Sequence, residues 1–99
     1  MKTRLAAPAL RQADRTDRWW RANRPAVADL FAHELDAARR FIAETPELGS
    51  PYVERHGALV RRVLFPKTRN HVYYEIDRKN DIVMILAAWG APKGRGPKL

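Results

Sequence analysis

Arg61, Arg62, Lys67, Arg69 and His71 crowd one short stretch of the chain, and Lys93, Arg95 and Lys98 follow at its end. Arginine forks and lysine point charges at this density suit phosphate or carboxylate partners. His71 adds a group that exchanges protons near neutral pH. With Arg61, Arg62 and Arg95 it would supply a base and cationic stabilisation, two requirements of phosphodiester cleavage. A purely structural histidine is the simpler reading, and any single cation here also reads as ordinary solvated surface. Tyr73 and Tyr74 raise base stacking. As strand neighbours they face opposite ways, so one is expected in the core and the other on the surface.

Other chemistries find less support. His33, His56 and His71 fall on a helix, a loop and a strand without metal-ligand spacing, so no metal is expected. Ser50 is the sole serine and sits beside Pro51, which argues against a serine nucleophile. Gly94-x-Gly96 follows the last strand and opens no helix, so it is no nucleotide-binding loop. No cofactor is implied.

The elements that must position the cations can be read from hydrophobic period. Residues 2–6 read as a short strand or the first turn of a helix. Residues 8–23 read as a helix with Ala6, Leu10, Ala13, Thr16 and Trp20 on one stripe. Asn23 suits a left-handed cap and Pro25 the start of a second helix over residues 25–44, with Val27, Phe31, Leu35, Ala38 and Ile42 inward. So short a link makes the two helices an antiparallel hairpin. Residues 47–57 read as a connector punctuated by Pro51, Gly49 and Gly57. Three strands follow, at 59–65, 71–77 and 82–89. The second alternates, and Arg61 and Arg62 must point to opposite faces. The third is apolar on both parities, which marks a central strand covered on both sides. The helices can cover one face; the basic tail, residues 90–99, or a partner must cover part of the other. Trp89, ending that strand, reads as a core plug.

The chain has 99 residues and a formal net charge of +8, which bounds it to one domain of modest core seeking anionic partners. It contains no cysteine, so disulfide and thiolate chemistry are excluded. No apolar run approaches a membrane span and the N-terminal residues lack the apolar core of a signal peptide, so the expectation is a cytoplasmic protein without membrane association.

The order of strand, helical hairpin and three-stranded meander resembles the RelE/ParE superfamily of bacterial type II toxins. The residues that carry the likeness are R-W-W-R-A-N-R-P-A-V from Arg18 to Val27 and E-T-P-E-L-G from Glu44 to Gly49. V-R-R-V-L-F-P-K-T-R-N-H-V-Y-Y-E-I from Val60 to Ile76, I-L-A-A-W from Ile85 to Trp89 and R-G-P-K-L from Arg95 to Leu99 are similar to the ParE, or plasmid stabilization, branch. Each motif is loose; their order spans nearly the whole chain.

The resemblance implies an α+β fold in which a two-helix hairpin packs on a small antiparallel sheet. It implies a toxin held inactive by a cognate antitoxin, whose acidic, partly disordered segment folds on it, with operator DNA met only through that antitoxin. Arg61, Arg62, Lys67, Arg69 and Tyr73 would meet the antitoxin. ParE-like toxins poison DNA gyrase, and the residues in the place of their toxicity tail are Lys93, Arg95, Lys98 and Leu99, with Trp89 before them. RelE-like toxins instead cleave mRNA on the ribosome, for which His71, Arg61, Arg62 and Arg95 would be the candidates. No Tyr or His follows Tyr74, and Gly90 stands where relatives often carry His, which favours the gyrase-directed branch. An inactive homologue acting only as antitoxin partner or co-repressor is the third expectation.

Overall fold

The first helix lies against the sheet through alanines. In the computed structural model, which describes residues 1–90 and 95–99, α1 spans Ala7–Asn23 and buries Ala9 and Ala13. Side chains this small let the helix axis approach the sheet closely. Leu10, placed on the inward stripe by its spacing, is instead 57% exposed, because the helix is rotated toward its alanines; Trp20 packs on the edge of the core. Pro8 sits in the first turn, where its missing N–H costs nothing.

The hairpin differs from expectation at its bend. Asn23 is not left-handed; the helix is closed by the Arg24 N–H on the Trp20 carbonyl at 2.9 Å and by Asn23 Nδ2 on the Trp19 carbonyl at 2.9 Å. Pro25–Val27 forms a tight 3₁₀ turn, and α2 runs only over Leu30–Glu44. Val27 therefore stays exposed, and Phe31, Ala38 and Ile42 are the buried residues of α2. Arg21 braces the bend, 3.0 Å from Asp17 and 2.8 Å from Asp29. α2 ends where Thr45 returns both its N–H and its hydroxyl to the Phe41 carbonyl, just before Pro46.

The sheet has five strands in the order β1-β5-β4-β3-β2: β1 Lys2–Leu5, β2 Ser50–Arg55, β3 Ala58–Phe65, β4 Asn70–Asp77 and β5 Ile82–Gly90. Two sequence expectations are corrected. The sheet is mixed rather than antiparallel, because β1 pairs parallel with β5, Lys2 opposite Ile82 through Leu5 opposite Ile85. The helical hairpin is the crossover that such a parallel pair requires. The stretch read as a connector holds β2, an edge strand with no buried residue whose polar composition and Pro51 conceal it. Its turn to β3 is the two-residue step His56-Gly57, both with positive φ (49° and 78°), a tight hairpin geometry.

Two hydrophobic layers result. Between helices and sheet lie Ala9, Phe31, Ile42, Phe65, Val72, Tyr74, Val83, Ile85 and Ala88. On the opposite face, Val60, Tyr73 and Ala87 form a second cluster, and Leu86, Trp89 and Leu99 pack on it. The C-terminal residues thus cover the face that the helices leave open. Both tyrosines of the Tyr73-Tyr74 pair are buried, contrary to the expectation that one lies on the surface.

Polar side chains pin the elements together. Glu34 of α2 accepts the Lys67 N–H at 3.0 Å, the Thr68 N–H at 2.9 Å and the Thr68 hydroxyl at 2.7 Å, fixing the β3–β4 turn. Gln12 Oε1 takes the Ala88 N–H at 2.9 Å, beyond the point where β1 stops pairing with β5. Among the described residues no helix is long and apolar enough to cross a membrane.

Candidate functional site

The helix-free face of the sheet gathers the cations and rings that can bind an anionic partner. Strand parity explains the gathering. Arg62 lies opposite Tyr73, and Leu64 opposite His71; on the other side of β4, Tyr73 lies opposite Ala87 and His71 opposite Trp89. Arg62, His71, Tyr73 and Trp89 therefore share one face. A register shift in β2 between Pro51 and Val53 brings Tyr52 to the same face, where its ring meets Tyr73 at 4.8 Å between centroids. The Arg62 guanidinium lies 5.0 Å from the centre of the Tyr52 ring, a cation–π contact.

Arg95 and Gly96 close this arrangement from above. The Trp89 indole N–H donates to the Arg95 carbonyl at 2.8 Å. Between tail and sheet lies a cavity of about 310 Å³, lined by Tyr52, Arg62, His71, Tyr73, Trp89, Gly90, Arg95 and Gly96. No carboxylate is among these lining residues, and Arg62 makes no ion pair among the described residues. Its charge is thus left for a ligand.

Burial lowers the pKa of His71 below the ordinary imidazole value of 6.5, and the charges of Arg62 and then Arg69 push the same way. At neutral pH His71 is a neutral ring, able to accept a proton. Its ring centre stands 5.8 Å from that of Tyr73.

The sequence candidates separate accordingly. The structure brings Arg62, His71, Tyr73, Trp89 and Arg95 together. Arg61, their companion in the sequence reading, lies on the helix-covered side and donates to the Gly49 carbonyl at 2.9 Å. Lys67 and Arg69 occupy the β3–β4 turn, where Arg69 has a φ of 59°. Lys98 is exposed, whereas Leu99 packs into the apolar cluster of the open face. Lys93 lies outside the described residues. Trp89 is half-buried: it packs on the Val60–Tyr73–Ala87 cluster and also lines a cavity on each side. Tyr52 was missed because its strand was; the His56-Gly57 step just before a β-rich run is the signal that would have found it.

Grouped histidines, cysteines or carboxylates able to hold a metal ion are absent among the described residues. The arrangement can bind a phosphate or carboxylate through Arg62 and Arg95, stack a flat group on Tyr52 or Trp89, and accept a proton at His71. Comparison with protein-family models, with curated proteins and with solved structures finds no match to this chain, so the reading of the site rests on its own residues.

Proposed function

We propose that this chain is the toxin of a bacterial type II toxin–antitoxin pair, of the RelE/ParE kind, that acts by binding DNA gyrase and is neutralised by an acidic antitoxin segment. The observation that carries this reading is the cationic, aromatic cavity on the helix-free face, where, among the described residues, Arg62 makes no ion pair and no acidic residue lines the wall. A net charge of +8 steers such a surface toward anionic partners, an acidic segment of an antitoxin or a DNA-bound enzyme. The element order, with a helical hairpin between the first strand and the later ones, supports the same reading. In this role the cavity binds and does not catalyse, and operator DNA is reached only through the antitoxin.

The test is DNA supercoiling by purified gyrase with increasing toxin. Wild type inhibits or traps cleaved plasmid, Arg62→Ala loses the effect, and His71→Ala keeps it. No inhibition at large molar excess of folded protein rejects the gyrase reading.

One observation favours a second reading. His71, held neutral, lines the same cavity as Arg62 and Arg95. A ribosome-dependent mRNA endonuclease would use it as the base and the arginines to stabilise the pentacovalent phosphorus. In that case His71→Ala abolishes cleavage of ribosome-bound mRNA while the protein stays folded.

A further inference from the structure

The segment Arg95–Leu99 is bound to the open face the way a short peptide is bound by a receptor. Four of its five residues are held by a contact or by burial. The Arg95 carbonyl accepts the Trp89 indole N–H at 2.8 Å. Gly96 lies so close to the Tyr52 hydroxyl that any Cβ would overlap it. Pro97 is buried. Lys98 is exposed and unread. The Leu99 side chain enters the Val60–Tyr73–Ala87 cluster, and its carbonyl accepts from Arg55. Arg55 is itself aimed by Glu75, 3.5 Å from its Nε.

These are the elements of sequence-selective recognition of an extended chain: side-chain donors to a main-chain oxygen at both ends, a close approach of glycine to the Tyr52 hydroxyl, and an apolar cluster on which a leucine packs. The open sheet face supplies them all from β2, β3, β4 and β5, none of which belongs to the segment itself. We propose that this face is a peptide-binding site selective for an extended x-Gly-Pro-x-Leu segment, filled in this structure by the chain's own Arg95–Leu99. The segment is a displaceable ligand held in cis, and while docked it forms one wall of the Arg62–His71 cavity. The proposal goes beyond the reading of the chain as a toxin and does not depend on it.

A tethered segment competes with a free peptide at an effective concentration on the order of millimolar. The tether therefore keeps a submillimolar site closed in the intact chain, and weakening the tethered copy opens it. The experiment uses full-length protein and an N-terminally fluorescein-labelled Arg-Gly-Pro-Lys-Leu peptide, read by fluorescence anisotropy. Two variants release the tethered copy by different means: Gly96→Val, which collides with Tyr52, and Leu99→Asp, which puts a charge into the apolar cluster. Movement of the Trp89 indole N–H resonance reports release, and amide dispersion reports that the sheet is intact.

Both variants are expected to bind the peptide at least about tenfold more tightly than wild type, given the millimolar competition from the tether. Adding Arg55→Ala to either variant is expected to weaken binding again, and a peptide with valine in place of glycine is expected to bind none of the proteins. Equal binding by wild type and both variants overturns the proposal. So does absence of peptide binding by released, folded variants, because recognition would then exist only as a consequence of the covalent tether. An unmoved Trp89 resonance in both variants overturns it too, since neither Gly96 nor Leu99 would be holding the segment.

Discussion

Removing a single oxygen from Tyr74 tests how the edge of the candidate site is held. The Tyr74 hydroxyl is buried between two main-chain groups: it donates to the Pro46 carbonyl at 2.7 Å and accepts the Gly49 N–H at 3.1 Å. Burial raises its pKa above the ordinary phenol value, so the hydroxyl keeps its proton through the neutral range. Gly49 is required beside it, because a Cβ there would run into the ring. Tyr74→Phe preserves the packing and deprives both main-chain groups of their partner. A buried group left unsatisfied costs about 1–3 kcal/mol. Pro46 is half-buried and can recover some hydration, whereas Gly49 is buried. The expected loss is about 2–4 kcal/mol in all. For a domain of this size each 1 kcal/mol lowers Tm by roughly 4–8 °C, so the fall is roughly 8–30 °C. Urea unfolding followed by far-UV circular dichroism reads the loss directly. A loss below about 0.5 kcal/mol would refute the reasoning, since it would mean that water replaces the hydroxyl without cost. The consequence reaches the site, because Gly49 leads directly into β2, and β2 carries Tyr52.

Glu34→Ala removes the acceptor for two main-chain N–H groups and a hydroxyl at the β3–β4 turn, and is expected to cost about 1–3 kcal/mol in urea unfolding, with Glu34→Gln milder. Arg61→Ala is expected to lower stability by about 1–3 kcal/mol through loss of its bond to the Gly49 carbonyl, yet leave binding to an anionic partner in place; Arg62→Ala should do the reverse, and isothermal titration beside urea unfolding distinguishes them. His71 has a folded-state pKa below its unfolded value of 6.5, so the unfolded chain takes up the proton first as pH falls. Its contribution to stability is complete above the unfolded pKa and is lost as pH drops through the folded one. Wild type is therefore expected to lose more stability than His71→Gln between about pH 7.5 and about pH 5, and equal slopes in the two proteins would contradict this.

Much of the fold was legible because its elements bury one clear stripe each. α2 shows Phe31, Ala38 and Ile42 at helical spacing, and β5 is apolar on both parities because both of its faces are covered, one by α1 and one by the C-terminal segment. What escaped was what hydrophobic period cannot encode. β2 buries nothing, so it left no alternation to read; it is defined by main-chain pairing and the His56-Gly57 turn. The parallel pairing of β1 depends on where the hairpin returns the chain, a property of the crossover and not of residues 2–5. On α1, period alone could not choose between a stripe through Leu10 and one through Ala9, because close approach to a sheet rewards the smaller residue. The site was legible in part for the same reason. Strand parity separates Arg61 from Arg62, but which face is functional depends on where the helices lie.

That last dependence gives adjacent arginines unrelated duties. Arg61 points to the helix-covered side, where a guanidinium is tolerated only because the Gly49 carbonyl receives it. Arg62 points to the side that no helix covers and lies over the π-face of Tyr52, which steadies the side chain without neutralising it. A carboxylate would have cancelled the charge, and bare solvent would have left the side chain unordered. The ring does neither, so Arg62 stays both positioned and charged. His71 nearby is discharged by the same environment, since burial and the fixed positive charges of Arg62 and Arg69 all favour the neutral ring. One short run of basic residues is thus divided by the sheet into a structural tie, an ordered cation and a neutral proton acceptor, and only the latter two face the cavity that the C-terminal segment closes.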